Sequence, residues 1–153
     1  MRTLIVAALA AALAGTVPTF GDDLPDATLT PGCTNPALTA KKLCSKSFRT
    51  GPYRNVPQSR KNLAYKRYGI TTHKTGDYEV DHLISLEIGG CNDIENLWPQ
   101  SYTTTPWNAH VKDALENRLH KLVCDGTLTL EHAQSEIATD WIAAYYKYVG
   151  SRK

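Results

Sequence analysis

The chain has 153 residues, 17 Lys and Arg against 15 Asp and Glu, and is 42% hydrophobic and 21% charged. That length suits one domain, and the composition is that of an ordinary globular protein, which excludes wholesale disorder. A formal net charge of +2 excludes a polybasic nucleic-acid glue and an acidic tail protein, so only the placement of charge speaks about partners.

Met1-Arg2-Thr3 is a short basic start, and Leu4 to Ala14 is an unbroken run of small and apolar residues. The run is too short to cross a hydrocarbon core, which takes roughly 20 residues in a helix. A basic residue, a short apolar run and Ala12-Leu13-Ala14 make a secretory signal with an A-x-A-like cut site. Cleavage after Ala14 and cleavage after Gly21 both remain open. We therefore expect a signal peptide over residues 1–21 and a single domain over 22–153. Export to the periplasm or the medium follows, without stable membrane association. Four cysteines, Cys33, Cys44, Cys91 and Cys124, then imply two disulfides, with three connectivities open. The rival, a four-cysteine zinc site, lacks any Cys-x2-Cys pair.

Residues 22–34 read as an extended lead-in. Asn35-Pro36 offers an N-cap and a proline at the first helical position, predicting a short helix to about Leu43. Pro57 to Tyr68 reads as a second helix, ended by Gly69. Tyr78 to Leu86 is rich in strand formers, Gly89-Gly90 breaks it, and Asn92-Asp93 continues the turn. Leu97-Trp98 reads as a brief second strand stopped by Pro99. From Trp107 to about Val123, the residues Val111, Leu115, Leu119 and Leu122 form one apolar stripe, ended by Gly126. Thr129 caps a last helix whose Leu130, Ala133, Ile137, Trp141, Ala144 and Tyr148 share a face, ended by Gly150. The order helix, helix, strand, strand, helix, helix around one core is an α+β arrangement.

Charge is segregated. Ten Lys or Arg and no acid lie between Lys41 and Lys74, and six acids and no Lys or Arg lie between Asp77 and Glu95. A basic block beside an acidic, histidine-bearing hairpin suits a site that cuts phosphodiesters: bases neutralise backbone phosphate and acids hold a divalent cation. The bland reading is a solvated helix face on which charges cluster.

Asp81-His82 lies in the first predicted strand, Asn96-Leu97 follows the Gly89-Gly90 turn, and His110 sits in the first turn of the third helix. Adjacent strand residues point to opposite sides, so Asp81 is free to bind a metal while His82 faces a water. Asp81-His82, Gly89-Gly90, Asn96-Leu97 and His110 together resemble the HNH endonucleases, which share the ββα-metal motif. The likeness to the general motif covers about residues 77–120. Thr30-Pro31-Gly32, the stretch from Asp81 to Pro99, and Lys112-Asp113 with Leu115-Glu116 extend it to small exported bacterial HNH proteins.

The resemblance implies a ββα-metal hairpin-helix core wrapped by N- and C-terminal helices and stapled by disulfides. It implies Asp81 and His110 as ligands of one divalent metal, His82 as general base and Asn96 as the structural asparagine. Asn108 and Asp113 are alternatives for the second ligand. A carboxylate with an imidazole suits Mg²⁺, Mn²⁺, Zn²⁺ or Ni²⁺. The expected partner is nucleic acid, DNA rather than RNA, cut by a monomer. Lys112 and Arg118 are candidates for holding substrate phosphate, and each also reads as a solvated helix residue. The resemblance also implies Cys44–Cys124 and Cys33–Cys91 bonds, against a local Cys33–Cys44 pairing.

Other residues read as structural or solvated: Glu79 and Glu87 as solvent-facing strand acids, His120 as structural, His73 and His132 as surface groups, and the three tryptophans as core. The functional rival from another class is a catalytically inactive, disulfide-stapled binding module on the same scaffold.

Overall fold

A computed structural model of the chain describes residues 24–151; the expected signal peptide lies outside the described residues. Among them are four α-helices and one antiparallel strand pair: α1 (Ala40–Leu43), α2 (Gln58–Arg67), β1 (Tyr78–His82), β2 (Leu97–Ser101), α3 (Ala109–Cys124) and α4 (Leu130–Tyr148). The fold is α+β.

The first helix is shorter than the Asn35-Pro36 signal predicts. Asn35 Oδ1 accepts from the Ala37 amide at 3.0 Å, which closes a local turn instead of capping a helix. Helical geometry begins only after Thr39, whose backbone is extended. Leu38 and Leu43 bracket this turn and are both buried.

Helix α2 starts after Pro57 and stops before Gly69, whose φ of 69° is in the left-handed region that glycine adopts readily. Its only buried residue is Ala64. A helix so polar must be held by something other than an apolar stripe. Here Arg67 Nη2 donates to the Leu29 carbonyl at 2.8 Å, and Arg60 Nη1 to the Asn92 carbonyl at 2.7 Å.

The hairpin pairs Tyr78 with Ser101, Val80 with Pro99 and His82 with Leu97. The first strand ends four residues before Leu86, because the chain then turns around Asn96: the Leu83 amide donates to the Asn96 carbonyl at 2.8 Å. The second strand, in contrast, runs through Pro99 instead of stopping there. In a two-stranded ribbon each strand has one unpaired edge, so a missing proline N–H is tolerated.

The apolar stripes of α3 and α4 form the main core. Leu115, Leu119, Ala133, Ile137 and Trp141 are all 0% exposed, and the Trp107 ring meets Trp141 edge-to-face at 5.6 Å. Asn108 Oδ1 accepts from the Val111 amide to cap α3, and Thr129 Oγ1 from the His132 amide to cap α4. Asp140 breaks α4 with extended backbone, and its own Oδ1 recaps the next turn at the Ala143 amide. The stripe continues across the break through Trp141 and Ala144. Two disulfides close the fold. Cys44–Cys124 ties α1 to the end of α3, and Cys33–Cys91 ties the lead-in to the turn between the strands.

Candidate functional site

The site is assembled at the end of β1, where Asp81 and His82 leave the hairpin in different directions. Asp81 meets α3: Lys112 Nζ donates to Asp81 Oδ2 at 2.7 Å and to the His82 carbonyl at 2.8 Å. The same ammonium donates to Glu116 Oε1, and Ser85 Oγ donates to Glu116 Oε2 at 2.8 Å. Lys112 is 0% exposed. Burial alone would lower its pKa, but the Asp81 and Glu116 carboxylates outweigh that and raise it. The same burial pushes the Glu116 carboxyl up, against the pull of Lys112.

This overturns one expectation. Lys112 is no phosphate-binding side chain, because a buried ammonium spent on two carboxylates and a carbonyl has no donor facing substrate. Arg118 is exposed on α3, and its Nε donates to the Tyr148 carbonyl near the end of α4 at 3.1 Å. It belongs to the helix pair and lines no part of the cleft at His82.

His82 is nearly buried yet lines a cleft of about 430 Å³ between α2 and β1. Its Nε2 lies 2.8 Å from Asn92 Oδ1. The orientation of that amide is fixed from its other end, where Asn92 Nδ2 donates to the Tyr53 carbonyl at 2.8 Å. Asn92 therefore offers an acceptor to the ring, so neutral His82 carries its proton on Nε2 and leaves the Nδ1 lone pair free. Burial lowers the His82 pKa; the Asn92 bond and Asp81 pull the other way, while Lys112 and Arg54 add to the lowering. Burial thus favours the neutral ring and the Asn92 bond favours one tautomer of it, as a general base requires.

Asn96, 0% exposed, organises the turn beneath His82. Its Oδ1 accepts from the Ile84 amide at 2.8 Å, and its Nδ2 donates to the Ile84 and Cys91 carbonyls at 3.0 and 2.9 Å. Ladder groups that the turn would orphan are thus satisfied by one side chain. Gly90 makes this possible, since a Cβ there would collide with the Ile84 carbonyl.

The Asp81 charge is felt at two further acids, Glu79 and Asp113. Glu79 Oε2 accepts from the Tyr102 hydroxyl at 2.9 Å, so it is not the free solvent-facing acid that strand alternation suggests. Burial and then the Asp81 charge raise the Glu79 carboxyl, and the same two causes, in the same order, raise Asp113. His110 is exposed, stands against the Tyr102 ring at 5.2 Å, and contributes to the field at Asp113. Asn108 is occupied as the cap of α3, its Nδ2 donating to the Thr104 carbonyl.

Asp81, Glu79, Asp113 and His110 are oxygen and imidazole donors of the kind that suits a hard or borderline divalent cation, but no three of them bring ligand atoms within 4.8 Å of one another. Among the described residues, the groups of three ligand atoms within 4.8 Å of one another are Cys44–His120–Cys124 and Cys33–Cys91–Asp93. Both rest on sulfurs already spent in disulfides.

The sequence reading missed Asn92, Arg54 and Tyr102. By residue type Asn92 is turn chemistry after Gly89-Gly90, and Arg54 is one of ten bases in an undivided block. Comparison of the chain with protein-family models, with curated proteins and with solved structures found no match.

Proposed function

We propose that the protein is an exported, metal-dependent endonuclease of the HNH type that hydrolyses nucleic-acid phosphodiesters, DNA by preference. The observation that carries this reading is the His82 imidazole, hydrogen-bonded to Asn92 and lining a cleft, directly beside Asp81 at the end of β1. A hairpin followed directly by α3 is also the element order of a ββα-metal core. Export is supported by two disulfides, which persist in oxidising compartments.

In this reading His82 Nδ1 takes a proton from the attacking water while Asn92 steadies Nε2–H. Asp81, with His110 or Asp113 of α3, would hold one divalent ion. Bound there, the ion supplies positive charge to the phosphate and to the leaving 3′ oxygen. Lys112 positions Asp81 by fixing Oδ2, which leaves Oδ1 for the ion. Arg54 is exposed, lines the cleft with His82, and makes the field at His82 and Asp113 more positive. It replaces Lys112 and Arg118 as the phosphate-facing cation. Asn96 acts only through the turn it holds.

The ion pair between Asp81 and Lys112 favours a second reading, in which Asp81 serves the fold alone and the scaffold is an inactive binding module. Plasmid nicking by the purified protein, with divalent cation, with chelator and after re-addition of cation, separates the two. The nuclease reading expects nicking that chelator stops and Mg²⁺, Mn²⁺, Zn²⁺ or Ni²⁺ restores. Absence of nicking under every cation would leave the binding module.

A further inference from the structure

One wall of the cleft is a single face of α2. Gln58, Lys61, Asn62 and Tyr65 line it at steps of three, one and three residues, the spacing that aligns side chains on one side of a helix. Tyr65 stacks on His73 with ring centroids 4.2 Å apart, and Tyr78 meets His73 edge-on at 6.4 Å. All three rings line the cleft, which reaches from them to His82. Its only acid, Glu79, is engaged by Tyr102, and its cations, Arg54 and Lys61, come from the segment that holds no acid.

Size and direction decide what fits. A cleft of about 430 Å³ is at the low end of the roughly 300–1,000 Å³ that encloses a small organic ligand. That is room for a nucleotide and not for a duplex. A helix that reads duplex DNA must project into a groove about 12 Å wide, whereas this face of α2 is the solvent-open wall of a cleft that β1 closes on its other side. Aromatic rings beside cations are the means by which proteins hold unpaired strands, each base stacking on a ring whatever its identity.

We infer that the α2 side of the cleft is a subsite for single-stranded nucleic acid, in which Arg54 and Lys61 take backbone phosphates and the Tyr65–His73 pair takes an unstacked base. The inference rests on the nuclease reading and narrows its substrate to unpaired strands or unpaired flanks of a duplex.

The test uses a labelled mixed-sequence DNA oligonucleotide of about 16 nucleotides, at the upper end of single-strand site sizes, alone or annealed to its complement. Cleavage is measured with Mn²⁺ and binding by fluorescence anisotropy in chelator. The wild-type protein should cleave the single strand at least about tenfold more efficiently than the duplex. Tyr65→Leu should raise KM on the single strand by about five- to a hundredfold, and Tyr65→Phe, which keeps the ring, should restore it. Should Tyr65→Leu fail to fold, Lys61→Gln decides: it should reduce the salt slope of single-strand binding by about 0.7. Equal cleavage of both forms, or variants that alter neither KM nor the salt slope, would overturn the inference. If the wild type cuts nothing, the nuclease reading falls and anisotropy still decides the subsite. Single-strand binding weakened by Tyr65→Leu and not displaced by duplex would keep it, and equal or absent binding would end it.

Discussion

Helix α3 buries Leu115 and Leu119 in the core and reaches the end of β1 through Lys112, all three 0% exposed, whereas α2 meets the hairpin with Ala64 as its one buried residue and Leu63 44% exposed. The first contact is an apolar stripe with a charge network sealed inside it. The second is a polar helix pinned by two arginines to loop carbonyls. The walls that converge at His82 therefore answer to different forces. The α3 wall fixes Asp81 through burial and charge pairing, where small errors cost much. The α2 wall keeps its cations and amides in solvent, where they can meet a ligand and where substitution disturbs little.

The contrast is broken most severely at Lys112. Lys112→Met should lower the unfolding free energy by about 3–5 kcal/mol, because Asp81 and Glu116 lose the ammonium that compensates their burial; denaturant melts measure this. On the other wall, Arg67→Ala should cost about 1–2 kcal/mol in the same assay, the scale of a partly exposed charge-assisted hydrogen bond. Asn92→Leu sharpens the comparison at the point where the walls meet. It frees the His82 tautomer, and nicking should slow by about tenfold or more while the fold loses about 1 kcal/mol.

The gentlest effect is that of pH. Burial lowers the His82 pKa, so the unfolded chain gains a proton near pH 6.5 that the folded one refuses. Stability from this site is complete above about pH 6.5 and is lost as pH falls from there through the folded value. The acid limb of kcat/KM should accordingly lie below about pH 6.5, checked by nicking rates across a buffer series.

What the sequence made legible follows the same division. The α3 and α4 stripes were readable because burial imposes a 3.6-residue period on apolar residues, and α2 because Pro57 and Gly69 punctuate it. The turn at Asn35 was not, since the same residue types cap a helix or close a local turn, and only the partner of Oδ1 distinguishes them. Pro99 read as a stop because a strand's number of neighbours cannot be seen in its own residues.

Within the site, Asp81 and His82 stood out by adjacency and by the turn that follows them. The role of Lys112 stayed hidden, although a signal was present. It lies three residues before Leu115 and seven before Leu119, on the flank of the buried stripe, with Glu116 one turn on. A lysine and a glutamate four apart on an apolar flank are as consistent with a buried pair as with a solvated one. Asn92 needed tertiary structure outright, because Tyr53, which fixes its amide, is 39 residues away.

If His82 is the base that activates water, removal of its imidazole should remove most of the rate. The most direct test is the single-turnover nicking rate of His82→Ala beside the wild type, at saturating divalent cation, with both proteins shown to be folded. The rate should fall by about a hundredfold or more, and nicking by His82→Ala at the wild-type rate would show that another group activates the water.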